Sequence, residues 1–159
     1  MAGKPTKVTV RETGDGKFTQ EVSVRDHIFI ADEPAEMGGL DTGPAPYDLL
    51  LSALGTCTSM TIRMYANQKR WPLEEVTVEL THEKVTGPDN VKRDVITREI
   101  ALEGPLDDAQ RQRLLEIANK CPIHKTLESK PEIVSHLAAA KPATPPPAPK
   151  APPQKPPAP

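Results

Sequence analysis

Aromatic side chains make up only 3% of this chain. Surfaces that read nucleic acid stack bases on such rings, so their scarcity argues against that class. An excess of positive charge is also missing. The formal net charge is −2, which leaves no global field to attract nucleic acid or anionic lipid. Long apolar runs are absent too. The longest uncharged stretch, Leu49 to Ile62, is too short for a transmembrane helix and holds several Thr and Ser. Met1 to Lys7 lacks the apolar run of a signal peptide. A cytoplasmic protein with no nucleic-acid and no membrane partner is therefore expected. No glycine-rich phosphate loop, Ser-His-Asp order or nucleotide fingerprint occurs, so no cofactor is expected. Cysteine is limited to two residues. In a reducing compartment two cysteines are free or redox-active thiols rather than a structural staple.

What is present divides the chain into three parts. Residues 1–6 read as a flexible N-terminus and residues 7–137 as one domain. Residues 138–159 read as a disordered tail rich in Pro, Ala and Lys. From Lys141 onward no large apolar side chain occurs, so that tail cannot bury enough surface to offset chain ordering. It is either a solubilising extension or a docking segment.

Within the domain, Lys7–Arg11, Phe18–Val24 and His27–Ile30 alternate as strands. Turns at Thr13–Gly16 and Arg25–Asp26 make them an antiparallel meander. Asp48 to about Lys69 reads as one long, largely buried helix. Pro46 stands where a first-turn proline is tolerated, and Asp48 places an acid near the helix N-terminus. Leu49, Leu50, Leu51, Leu54, Met60 and Met64 leave few polar faces. Such a helix must be covered on more than one side, which points to a partner subunit. Val76–Val85 and Val95–Leu102 are strands flanking a turn at Gly87–Asn90, with Val76, Val78, Leu80, Ile96, Ile100 and Leu102 inward. Gly104–Asp107 starts a second helix whose stripe is Leu106, Leu114, Leu115, Ile117, Ala118 and Cys121. A short helix at Ile123–Ser129 and a closing strand at Glu132–Leu137 complete an α+β domain.

Both cysteines, Cys57 and Cys121, fall at apolar helical positions. A thiol on an apolar stripe is by default core packing. The chemical alternative is a peroxidatic and a resolving pair. One thiolate is oxidised to a sulfenic acid, the second condenses with it to a disulfide, and a reductant resets the pair. That chemistry needs a lowered thiol pKa, a second thiol within reach, and a pocket for the organic part of the peroxide. Cys121-Pro-Ile-His124 has metal-ligand spacing, but no second paired motif completes a closed zinc site, and no metal is expected.

The stretch Gly43-Pro-Ala-Pro-Tyr-Asp-Leu-Leu-Leu-Ser-Ala-Leu-Gly-Thr-Cys57-Thr-Ser-Met-Thr resembles the central-helix signature of the OsmC/Ohr family, the osmotically induced and organic-hydroperoxide-resistance proteins. Ala118-Asn-Lys-Cys121-Pro-Ile-His124 resembles that family's second cysteine motif. The resemblance implies an OsmC-like fold: antiparallel sheets around a long central helix, in an intertwined homodimer with active sites at the interface. It also implies reduction of small organic hydroperoxides, with Cys57 attacking, Cys121 resolving and an external dithiol as reductant. Characterised peroxidases of the family carry a glutamate where Tyr47 stands, paired with an arginine of the N-terminal hairpin. This chain resembles a less characterised branch with neither. Tyr47 and His124 are then the candidates to replace that ion pair. Tyr47 would donate a hydrogen bond to the Cys57 sulfur or pack its ring locally. His124 would act as a cation near Cys121 or be a loop histidine without a role. The rival to the peroxidase is a non-catalytic redox-sensing or ligand-binding module on the same fold.

Overall fold

The computed structural model describes residues 6–139. The expected flexible residues 1–5 and the Pro-rich tail from residue 140 onward lie outside them. The element order is β1 (Val8–Glu12), β2 (Gln20–Val24), β3 (His27–Ala31), a 3₁₀ turn (Ala35–Met37), α1 (Pro46–Lys69), β4 (Glu75–Thr86), β5 (Lys92–Glu103), α2 (Asp108–Ala118) and α3 (Pro122–Glu128). The architecture is α+β with two antiparallel sheets and one long helix, as expected.

The meander β1-β2-β3 pairs Val10 with Val22 and Val22 with Phe29. It packs mainly on itself. Its loop to α1 is gathered by the buried Asp32, which accepts hydrogen bonds from Leu40 N–H (3.1 Å), the Thr42 hydroxyl (2.8 Å) and the Thr19 hydroxyl (3.3 Å). Burial works against the Asp32 charge, but these donors outweigh it and hold the carboxyl below its usual range.

Helix α1 starts as the sequence suggests. Pro46 occupies the first turn, and the Asp48 carboxylate accepts the Ala45 N–H at 3.0 Å. It stops at Arg70, whose left-handed φ of 55° ends the helix. Arg63 donates to the carbonyls of Leu73 (2.5 Å) and Glu74 (2.9 Å) and so ties the start of the next strand to the helix.

The expectation of a largely buried helix needs correction for the single chain. Leu54, Thr58, Ile62 and Ala66, at steps of four, form one buried stripe, with Gly55 beside it. Met60 and Met64 are exposed. The β4–β5 hairpin, α2 and α3 occupy only the remaining directions. Ile62, Ala66, Leu73, Leu106, Leu114 and Ala118 make the core, with Val76, Ile100 and Leu102 of the hairpin packed against it. Burying each large aliphatic there stabilises the fold by roughly 1.5–3 kcal/mol.

The hairpin turns through Gly87–Asn90, with Asn90 N–H donating to the Gly87 carbonyl at 2.9 Å. Its register pairs Leu80 with Arg98 and His82 with Ile96. Helix α2 opens with a reciprocal cap: Gln110 N–H donates to Asp107 at 2.7 Å, and the Asp107 N–H donates to Gln110 at 3.1 Å. Leu115, expected on its buried stripe, is exposed; Leu114, Ile117 and Ala118 of that stripe are buried as expected. The expected closing strand at 132–137 is not formed. Ile133, Val134 and Leu137 are exposed, and among the described residues no strand pairs with this segment to take up its backbone hydrogen bonds.

Candidate functional site

The two cysteines meet where α3 turns back on the middle of α1. Cys57 is mid-helix and partly exposed; Cys121 is fully buried and caps the start of α3. Pro122 at the first helical position sets the turn that brings the Cys121 sulfur onto the backbone. The His124 N–H donates to that sulfur at 3.3 Å. Both thiols are free and neighbour each other closely enough to perturb one another's titration.

Their electrostatics are unequal. Burial pushes the Cys57 thiol up. The backbone N–H of Ile123 opposes this, but the neighbouring Cys121 sulfur raises Cys57 further. Burial also works against a Cys121 thiolate, yet the His124 N–H, the Cys57 thiol and the Thr58 hydroxyl outweigh it and hold Cys121 below the ordinary thiol range.

A cation stands beside it that the sequence reading did not single out. Arg98 of β5 donates to the Thr58 hydroxyl oxygen at 2.8 Å, the Ala118 carbonyl at 3.3 Å and the Asn119 side-chain carbonyl at 2.8 Å. It also reaches His124 Nδ1 at 3.2 Å. Thr58 lies 3.9 Å from the Cys121 sulfur and donates to the Leu54 carbonyl at 2.8 Å. A signal for Arg98 was available. It interrupts the inward face Ile96, Ile100, Leu102, and a guanidinium on the apolar face of a strand requires partners. Thr58 is the polar member of the buried stripe of α1, a weaker signal of the same kind.

His124 is brought to the pair, but in a different role from the one expected. Arginine only donates, so the bond from Arg98 requires an unprotonated Nδ1. The proton of the ring then sits on Nε2, which faces Glu128 at 3.2 Å. Arg98 is thus a permanent cation in direct contact with His124. Tyr47 is not brought to the thiols. It stands in the first turn of α1, about 15 Å along the helix axis from Cys57 at ~1.5 Å per residue. Its ring stacks on His82, with centroids 4.2 Å apart and planes 10° apart. His82 in turn contacts Asp94 at 2.8 Å.

Two cavities flank α3. One of about 510 Å³ is mostly apolar and is lined by Thr61, Met64, Tyr65, Ile117 and Pro122. Thr61 lies one turn beyond Cys57 and Pro122 follows Cys121, so it opens beside the pair. The other, of about 290 Å³, is lined by Leu54, Ile96 and Leu127 together with Asp94, Arg98, His124 and Glu128. Among the described residues no group of three or more His, Cys, Asp and Glu side chains gathers to hold a metal ion, and no helix is long and apolar enough to cross a membrane.

Solved structures share this arrangement of elements. An OsmC-like protein of Mycoplasma pneumoniae superposes with a TM-score of 0.66 at 20% identity, covering 79% of this chain and 88% of that one. An organic hydroperoxide resistance protein OsmC of Legionella pneumophila gives 0.62 at 20% identity, covering 80% and 91%. The organic hydroperoxide resistance protein OhrB of Bacillus subtilis gives 0.56 at 21% identity, covering 77% and 90%. No curated protein matches the chain. The family model described as OsmC-like protein matches residues 39–136, which span α1, the hairpin, both cysteines and α3. With more than half of its length matched, and with the fold to go with it, the chain belongs to the OsmC-like protein family.

Proposed function

We propose that this OsmC-like protein is a cytoplasmic, homodimeric, thiol-dependent reductase of organic hydroperoxides in oxidative stress defence. The observation that carries the reading is the placing of Cys57 and Cys121, remote in sequence, as free neighbouring thiols, with a guanidinium one side chain away from Cys121 through Thr58. Sulfurs held apart, with no cation near them, would have spoken against it.

Cys57 is the accessible member and attacks the terminal peroxide oxygen. The S–O bond forms, the O–O bond breaks and the alcohol leaves, giving the Cys57 sulfenic acid. Cys121 then attacks that sulfur. The disulfide forms and the hydroxyl departs as water. A dithiol reductant returns the pair to two thiols. The apolar cavity beside the pair suits the organic part of the peroxide. Family membership and the hydroperoxide-resistance names of the structural neighbours are in keeping with this chemistry. Dimerisation is favoured by the exposed Met60 and Met64 of α1 and by the meander's exposed Val8, Val10 and Ile28. The test is consumption of an organic hydroperoxide with a dithiol supplied. Wild type should turn over and both Cys57→Ser and Cys121→Ser should not. A wild type that consumes none with any dithiol sinks the enzyme.

The raised Cys57 thiol favours a second reading, a redox-sensing module that oxidises slowly and stoichiometrically. It predicts one disulfide formed per chain without turnover, measured by thiol counting after a single peroxide addition.

A further inference from the structure

Helix α3 starts at Cys121, yet little of its own holds it in place. It has seven residues, none of them buried, and a helix of that length is marginal by itself. Among the described residues no strand follows it to anchor the chain. Cys121 is nevertheless fully buried, in the turn between α2 and α3. Three residues fix it there. Its N–H donates to the Ala118 carbonyl at 3.3 Å, its sulfur accepts the His124 N–H at 3.3 Å, and the Thr58 hydroxyl oxygen lies 3.9 Å from that sulfur.

Each of these three residues is bonded in turn by Arg98 of β5. One terminal nitrogen donates to the Thr58 hydroxyl oxygen at 2.8 Å and the Ala118 carbonyl at 3.3 Å. The other donates to the Asn119 side-chain carbonyl at 2.8 Å and to His124 Nδ1 at 3.2 Å. The four N–H groups of the two terminal nitrogens are thus all spent around the Cys121 turn. Asp94 and Glu128 line the same cavity as Arg98 but bond elsewhere: Asp94 to His82 and Lys84 at 2.8 Å each, and Glu128 to His124 Nε2 at 3.2 Å. A planar fork of donors suits a residue that must grip α1, the end of α2 and α3 from one point.

We propose that Arg98 is the positioning residue for disulfide closure: through Thr58, Ala118, Asn119 and His124 it keeps the Cys121 turn docked on α1 beside Cys57, the residue before Thr58. The proposal rests on the proposed function for the step it serves. In that step the Cys121 sulfur bonds to the sulfur of the Cys57 sulfenic acid. The S–O bond breaks, and the hydroxide leaves with the Cys121 proton as water. Arg98 has no part in the bonds made and broken. It keeps a weakly anchored turn from drifting, so that the attack stays intramolecular at a high effective concentration. A displacement of about 1 Å costs such a step on the order of 100-fold.

The experiment reads closure without peroxide. One equivalent of a chromogenic aromatic disulfide is added to the reduced full chain. Cys57, the accessible thiol, attacks it, releases one aryl thiolate and keeps the other half as a mixed disulfide. Cys121 then attacks the Cys57 sulfur, the second aryl thiolate leaves, and the Cys121 proton passes to solvent. The two releases are followed as two phases of absorbance. Cys121→Ser keeps the first and loses the second. In Arg98→Met the ratio of the second rate to the first falls by about 10- to 100-fold. Arg98→Lys keeps the charge but not the fork, and recovers only part of the loss. Asn119→Ala removes one of the four bonds at an exposed position, which covers an Arg98→Met protein that fails to fold. It lowers the ratio by about threefold, the weight of one modest hydrogen bond. A general loosening of the fold changes both phases, whereas positioning acts on the second. The proposal is overturned if folded Arg98→Met or Asn119→Ala leaves the ratio unmoved. It is equally overturned if Arg98→Lys restores the ratio in full, or if wild type gives no second release. A wild type that closes as expected yet consumes no organic hydroperoxide with any dithiol overturns the peroxidase reading and leaves the role of Arg98 standing.

Discussion

Oxidation of the thiol pair should stabilise the fold, and by an amount that follows from where the two cysteines lie. A disulfide stabilises mainly by removing freedom from the unfolded chain. Chain-entropy bookkeeping gives ~3 kcal/mol for a loop of roughly 15 residues and ~4.7 kcal/mol for one of roughly 100. The loop from Cys57 to Cys121 lies between these and nearer the longer, so the gain is about 4 kcal/mol before strain. Strain subtracts little only if the sulfurs already neighbour each other, as their mutual influence on titration indicates. At about 2–4 °C per kcal/mol for a chain of this size, the melting temperature should rise by roughly 10 °C. The assay is thermal unfolding of the reduced protein and of protein oxidised by one equivalent of peroxide, with mass spectrometry confirming an intrachain Cys57–Cys121 bond. Cys57→Ser treated in the same way should show no shift. An oxidised protein that carries the bond yet unfolds at or below the temperature of the reduced one refutes the reasoning, because the sulfurs would then have to be pulled out of position to join.

Three further outcomes are expected. Ile62→Ala opens a cavity in the fully buried centre of the core and should lower stability by about 2–5 kcal/mol, read from denaturant unfolding with an unchanged slope. The Asp32 carboxyl has a depressed folded-state pKa, so its contribution is present above its unfolded value of about 3.9 and is lost as pH falls through the folded one. Asp32→Asn should therefore be less stable than wild type at neutral pH and show a smaller loss on acidification, measured as unfolding midpoints across pH. Tyr47→Phe preserves the ring stacked on His82 and touches neither sulfur, so thiolate titration and peroxide turnover should stay within about twofold of wild type. A loss of turnover would place Tyr47 at the site after all.

Most of the fold was legible because its signals are local. Alternation in Val76–Leu80 and Ile96–Leu102, turn residues at Gly87–Asn90, and the Pro46 and Asp48 start of α1 each act over a few residues. The segment at 132–137 failed on the same grounds: its alternation is compatible with a strand, but pairing needs an edge, and an edge is not a local property. Of the candidate site, the two cysteines were visible as rare residues on apolar stripes. His124 was visible only by its spacing from Cys121, which could not reveal the arginine that decides its protonation. Tyr47 was a candidate because it stands where the family's peroxidases carry a glutamate, whereas within this chain the helix separates it from Cys57 along its axis.

The sequence by itself determined the element order, the α+β class and the two thiols as the chemistry worth asking about, because hydrophobic period, turn residues and cysteine count are properties of short stretches. Only the tertiary structure decided that the thiols are neighbours and that Arg98 stands beside them through Thr58. The reason is physical: a pKa and a counter-charge depend on distance and burial in three dimensions. Thr58, Arg98 and Cys121 come from three separate parts of the chain, and they share a site only after α1, the hairpin and α3 have packed.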